Sequence, residues 1–202
     1  MLSNKQKMLA GFAYKPNDRE LAQLRLENKK RLFQYNTQIC PSEIEKRTAL
    51  IQQILGKSKG IPHINAPFFC DYGCFIEVGE NFFANYHCTL LDSGGIKIGD
   101  NVMFAPNVSL YTVGHPLDPE LRQQDWEQAL PIIIGNNVWI GGNTVILGGV
   151  TIGDNSVIGA GSLVNKNIPA NSLAMGSPAK VIRQINEQDR INYMNKYMTD
   201  YV

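Results

Sequence analysis

Residues 132–164 read IIIGNNVWIGGNTVILGGVTIGDNSVIGAGSLV, and apolar side chains return in them every six positions, at Ile134, Ile140, Ile146, Ile152, Ile158 and Val164. A companion row two places earlier runs Ile132, Val138, Thr144, Val150, Ser156, Ser162 and Ile168. Gly135, Gly141, Gly153 and Gly159 each follow a member of the first row. An α-helix turns every ~3.6 residues, so it cannot keep a six-residue row on one face. Short strands separated by turns can. A mainly β chain wound as a parallel β-helix of six-residue units follows, each unit hiding its apolar side by stacking on the next.

The same beat precedes this stretch. Val78, Ala84 and Leu90 are six apart, as are Ile98, Phe104 and Leu110. The step from Leu90 to Ile98 is eight, which places a two-residue insertion at a corner marked by Ser93-Gly94-Gly95. Residues 111–131 (YTVGHPLDPELRQQDWEQALP) lack the beat although the rows on either side stay in phase, so they form a long loop leaving the coil. Such loops inside compact repeats tend to carry function. Gly-Glu-Asn, Gly-Asp-Asn and Gly-Asn-Asn at 79–81, 99–101, 135–137 and 153–155 supply turn residues that tolerate left-handed backbone.

The first 58 residues differ in kind and predict a helical cap. Asn17 with Glu20, and Ser42 with Glu45, are spaced as capping boxes. Leu21, Leu24, Leu32 and Tyr35 follow the first, and Ile44, Ile51, Ile54 and Leu55 the second, with Gly56 as a stop. Two antiparallel helices would cover the open end of the coil, since solenoids need their exposed strand edges closed. The coil then spans 59–185, and 186–202 is a helical C-terminal tail. The net charge of +1 gives no pull toward nucleic acid or a membrane. No apolar run approaches the ~20 residues of a membrane span, and the N-terminus lacks a secretory segment. Cys40, Cys70, Cys74 and Cys88 have no zinc spacing and read as reduced thiols of a cytoplasmic protein.

His115 stands in the off-beat loop between Gly114 and Pro116. The proline biases the histidine backbone toward extended conformations, and an imidazole with an ordinary pKa of ~6.5 can accept a hydroxyl proton near neutral pH. The segments FFCDYGCFIEVGENFFANYHCTLLD (68–92), IGDNVMFAPNVSLYTVGHPLD (98–118) and the run from Ile134 to Arg183 stand in one order behind the MLAGFAY start. In that order the chain resembles the maltose and galactoside O-acetyltransferases, a hexapeptide-repeat group that includes nodulation-factor acetyltransferases. The resemblance covers nearly the whole chain. It implies a left-handed coil, an exception to the usual right-handed crossover. It also implies a homotrimer with active sites between subunits, acetyl-CoA as co-substrate, and a sugar acceptor.

Residue by residue, the resemblance makes His115 the general base that deprotonates a sugar hydroxyl. Asn85, in NFFANY, binds that hydroxyl and steadies the transition state. Asp71 and Phe83 flank the acceptor. Asp71 matches the maltose-type enzymes, whereas galactoside-type members have Ser there; Phe83 replaces a Tyr of the galactoside type. Asp18 and Asp92 are further acceptor candidates, and Glu127 holds a loop position in the same neighbourhood. On the coenzyme side, Trp139 lines a groove and the Gly142 N–H donates to the oxyanion. Ala160 accepts the pantetheine chain, and Asn165, Lys166, Lys180 and Arg183 hold the nucleotide and phosphates. Family members often have Ser at 142, Thr at 165 and Arg at 180. A Lys neutralises phosphate without the bidentate fork of Arg. No metal is expected. His63, His87 and His115 lack the spacing of the γ-class carbonic anhydrases, which share the solenoid and bind zinc through three histidines. The remaining alternatives are a xenobiotic or aminosugar acetyltransferase of the same fold and a non-catalytic trimeric scaffold.

Overall fold

The computed structural model describes residues 1–198. From Lys57 onward the chain winds through three parallel sheets that form the faces of a coil. The first face stacks Lys57–Ser58, Ile76–Val78, Ile96–Ile98, Ile132–Ile134 and Thr151–Ile152. The second stacks His63–Ile64, Phe83–Ala84, Met103–Phe104, Trp139–Ile140, Val157–Ile158 and Ser172–Gly176, with Ala179–Gln184 added antiparallel at its end. The third stacks Phe68–Cys70, Cys88–Leu91, Ser109–Tyr111, Val145–Leu147 and Leu163–Val164. The six-residue row is the core: Ala84, Leu90, Phe104, Leu110, Ile140, Ile146, Ile152, Ile158 and Val164 are all fully buried. Each large aliphatic member contributes about 1.5–3 kcal/mol by leaving water. The polar members of the companion row sit inside the corners and bond to corner carbonyls, as Ser162 Oγ does to Gly159 O at 2.5 Å and Ser156 Oγ to Pro169 O at 3.0 Å.

Register shows where the beat is broken. Trp139 pairs with Val157 and Val145 with Leu163, eighteen residues on, which is three six-residue steps per turn. Lower down, Lys57 pairs with Glu77, Phe83 with Met103 and Thr89 with Ser109, twenty residues on. The additional residues lie between the third and first faces, at 71–75 and again at 92–95. The long loop leaves the coil between Tyr111 and Ile132, at the same edge. Every departure from the repeat is therefore stacked on one edge of the coil.

The cap has three helices, α1 (Asn4–Leu9), α2 (Arg19–Thr37) and α3 (Ile44–Ile54). α1 was not legible in the apolar pattern, although Ser3 and Gln6 form a capping box around its start. The N-cap of α2 is Asp18, not Asn17, and α3 starts after Glu43 with no side-chain cap. Ser42 lies close to Cys40 Sγ instead. The cap closes the open end by copying backbone chemistry. Asn36 accepts from Phe68 N at 3.0 Å and donates to Phe68 O at 2.8 Å, completing the first strand of the third face. Buried Asn28 donates to the carbonyls of Cys70 and Asp71. After the coil comes α5 (Glu187–Tyr197); residues 199–202 of the expected tail lie outside the described residues.

Candidate active site

The loop that carries His115 begins as a short two-stranded ribbon. Val113 pairs antiparallel with Ala129 and Gly114 with Gln128. At its far end α4 (Pro119–Gln123) is capped by Asp118, whose carboxylate accepts from Leu121 N at 2.9 Å. Arg122 Nη1 donates to the carbonyls of Pro116 and Leu117, folding the tip back on the histidine. His115 is thus the first residue beyond the paired segment, opposite Glu127. The N-terminal segment joins through a single antiparallel bridge: Tyr14 N donates to Glu127 O at 3.0 Å, and Glu127 N to Tyr14 O at 3.1 Å. Gln128 Nε2 reaches Gly11 O at 2.9 Å, and the Lys15 ammonium lies 4.2 Å from the Trp126 ring centre. Beneath the ribbon, Met8, Tyr14, Leu21, Tyr72 and Ala129 form a small separate core.

Two clefts meet at the histidine. One, of about 300 Å³, is lined by His115, Glu127, Asp71, Arg25, Ser93 and Arg122 among others. The other is lined by His115, Glu127, Gly114, Leu130 and Leu147. His115 and Glu127 belong to both, so they form the wall between them. The first cleft is electrostatically tense. Burial pushes the Asp71 carboxyl above its ordinary range, with Arg25 pulling it down and Glu127 pushing it up. The Tyr72 phenol is pushed up to about 12, mainly by burial, against the Arg25 guanidinium that donates to it at 2.7 Å. Tyr14 is driven higher still, by burial first and then by its hydrogen bond to Glu127.

The structure brings His115, Asp71 and Glu127 together, and separates them from the other residues expected at the site. Asn85, Gly142 and Ala160 stack along the edge between the second and third faces, where Asn85 N donates to Phe104 O and Gly141 N to Ile158 O. The third-face strand Cys88–Leu91 lies between Asn85 and the corner at 92–95. Among the described residues nothing accepts from the Gly142 N–H. A Cβ there would come 3.2 Å from Pro106 O. Phe83 and Trp139 point outward from the second face, Trp139 half exposed and Phe83 stacked on His63 at 5.4 Å. Asn165, Lys166 and Lys180 are exposed near the far end of the coil. Arg183 has both guanidinium nitrogens on Asp189, at 2.8 and 2.6 Å.

Two acceptor candidates are placed elsewhere. Asp18 is not among the residues of the His115 cleft; it caps α2, accepting from Glu20 N at 3.0 Å, and its neighbour Asn17 lines the cleft instead. Asp92 is fully buried behind the corner, accepting from Tyr72 N at 2.8 Å and Phe75 N at 3.3 Å. Burial lifts its carboxyl to about 7, the nearby Asp71 adding to the rise and the two amides opposing it. The adjacent Ser93 is the corner residue that reaches the cleft. Tyr14, Arg25 and Ser93 were not recognised from sequence. Only the break in the beat at 93–95 pointed toward any of them.

Comparison with known proteins fits this geometry. Residues 7–60 match the maltose acetyltransferase hexapeptide capping motif, and 131–166 match the bacterial transferase hexapeptide of six repeats. The galactoside O-acetyltransferase of Escherichia coli K12 is 43% identical over 195 residues, covering 96% of each chain. A maltose O-acetyltransferase from Clostridium difficile 630 superposes with a TM-score of 0.89 at 48% identity, over 92% of this chain and 98% of its own. A galactoside acetyltransferase solved with coenzyme A gives a TM-score of 0.90 at 43% identity, over 94% of each chain. With its helical cap, its six-residue coil and its histidine ribbon accounted for over nearly its full length, the chain belongs to the maltose and galactoside O-acetyltransferase family of hexapeptide-repeat transferases.

Proposed function

We propose that this chain transfers an acetyl group from acetyl-CoA to a hydroxyl of a maltose-, glucose- or galactoside-like sugar by direct attack, with His115 as general base. The observation that carries this reading is the place of His115, on a braced ribbon in the wall between two clefts. The cleft holding Asp71, Arg25, Ser93 and Glu127 offers the carboxylates, hydroxyl and guanidinium that bind a polyol. His115 takes the proton from the attacking hydroxyl and later returns it to the departing thiolate. Asn85 holds the hydroxyl, and the unpartnered Gly142 N–H donates to the oxygen on which charge develops. Trp139 and Ala160 border the pantetheine path. Asn165, Lys166 and Lys180 meet the nucleotide, and Arg183 joins them on leaving Asp189.

Within one chain, His115 and Asn85 lie on opposite edges of the third face. A complete site therefore takes His115 from one copy and Asn85 with Gly142 from the next, which supports a homotrimer with interface sites. The test is thiol release from acetyl-CoA with a panel of sugars. Release that depends on the acceptor and disappears in His115→Ala is expected; CoA binding with no release for any sugar would overturn the sugar assignment. Co-assembled His115→Ala and Asn85→Ala chains should regain activity that neither has alone. No regain would place both groups in one chain's site.

A further inference from the structure

Building on the reading of His115 as the base, we propose that the helical cap is part of the catalytic apparatus, with Tyr14 as a positioning residue that holds the Glu127 carboxyl against the His115 clefts. Three contacts converge on Glu127 from one residue. The Tyr14 phenol donates to Glu127 Oε2 at 2.6 Å, and the two backbones exchange hydrogen bonds in both directions. Tyr14 itself is fully buried among Met8, Leu21, Tyr72 and Ala129, so its ring has no freedom to follow a wandering carboxylate. The other carboxylate oxygen, Oε1, has no hydrogen-bond partner among the described residues, while Glu127 lines both clefts beside His115. A Glu on an exposed loop ordinarily samples many rotamers. Here one oxygen is fixed, which presents the other to the imidazole or to a sugar hydroxyl. The coil's end is closed by α2 and α3; the strap from Gly11 to Lys15 runs past them from α1, to which Phe12 and Lys15 still bond, and its remaining contacts are with the ribbon.

The test is Tyr14→Phe, which keeps the ring and removes one oxygen, combined in a double-mutant cycle with Glu127→Ala, which removes the acceptor. Tyr14→Phe should lower kcat about tenfold, the effect of one hydrogen bond to a charged group, with the KM for acetyl-CoA unchanged. In the Glu127→Ala background, where the phenol has no carboxylate to hold, the same substitution should have little further effect. Ring signals of His115, assigned among the three histidines with His115→Ala, should move in Tyr14→Phe and shift no further in the double variant. That readout needs no turnover. Unchanged kcat and unmoved signals, or an equal loss of kcat in both backgrounds, would overturn the role of Tyr14 while leaving His115 as the base. A wild-type chain without acceptor-dependent release would sink both.

Discussion

Two edges of the same coil put polar side chains to opposite uses. Between the first and second faces, Asn81, Asn101, Asn137 and Asn155 each donate to the next asparagine at 2.9–3.0 Å, ending on Asn171. All five hold φ between 54° and 58°. Beside this ladder Asp100, Asn136 and Asp154 accept from the backbone N–H groups of the turn below. Polar atoms there bond to one another, and the repeat is kept. Between the third and first faces, among the described residues, no ladder of like side chains forms. Asp71, Asp92 and Glu127 occupy unrelated positions, two of them are pushed toward neutrality, and His115 stands clear of its own turn. A repeated edge satisfies itself; an interrupted edge leaves groups available to a ligand.

The largest expected effect tests the interrupted edge directly. His115→Ala should lower turnover about 10²- to 10⁴-fold with CoA affinity and melting temperature unchanged. A loss of stability as large as that of a ladder variant would mean the histidine holds the fold, and the contrast would fail. Second is the buried Asp92. Its native carboxyl is raised to about 7 from an ordinary 3.8, so between those values the folded chain keeps a proton the unfolded chain has lost. The group's contribution is therefore most favourable in acid and is lost as pH rises toward about 7, a swing on the order of a few kcal/mol. Denaturant melts at pH 4.5 and 7.5 should show the wild type losing stability relative to Asp92→Asn. Parallel curves would show that the two backbone amides fully offset the burial.

The difference between the edges also explains what was legible. The ladder edge could be read directly, because Gly and Asn recur at fixed positions and the rows at Ile134, Ile140 and Ile146 fix the register. At the other edge the sequence announces only that the pattern stops. The corner at 92–95 was visible as an eight-residue step. Its counterpart at 71–75 was hidden because no clean row precedes Val78. Asp92 read as an acceptor ligand because a carboxylate suits sugar hydroxyls; only packing shows it turned inward, with the buried Ser93 lining the cleft in its place. Tyr14 lies 113 residues from Glu127, and nothing local in either segment specifies that contact.

Third, a glycine of the ladder and one of the ribbon should respond differently. A Cβ at Gly135, on the ladder edge, would fall 2.2 Å from Asp154 Oδ1 and 2.8 Å from Asp154 N. One at Gly114, beside His115, meets nothing within 4 Å. Gly135→Ala should cost about 2–3 kcal/mol in an unfolding titration and Gly114→Ala a few tenths, since overpacking against backbone cannot be relieved by a rotamer change. Equal costs would mean that the ribbon at Gly114 is packed as tightly as the ladder.

The smallest effect separates two reasons for asparagine in the ladder. Asn137 holds φ at 56°, donates to Asn155 and accepts from Asn101. Asn137→Gly keeps the backbone conformation cheap and removes the side-chain bonds, so it should cost about 1 kcal/mol, the net value of solvent-exposed hydrogen bonds. Asn137→Ala removes the same bonds and adds a left-handed backbone penalty of about 1 kcal/mol or more. If the two variants melt together, the backbone penalty is absent and the ladder bonds carry the preference. If Gly matches the wild type while Ala does not, the amide ladder contributes nothing net and asparagine is present for its tolerance of positive φ. Either result leaves turnover per folded molecule unchanged, because no atom of that edge reaches the His115 clefts.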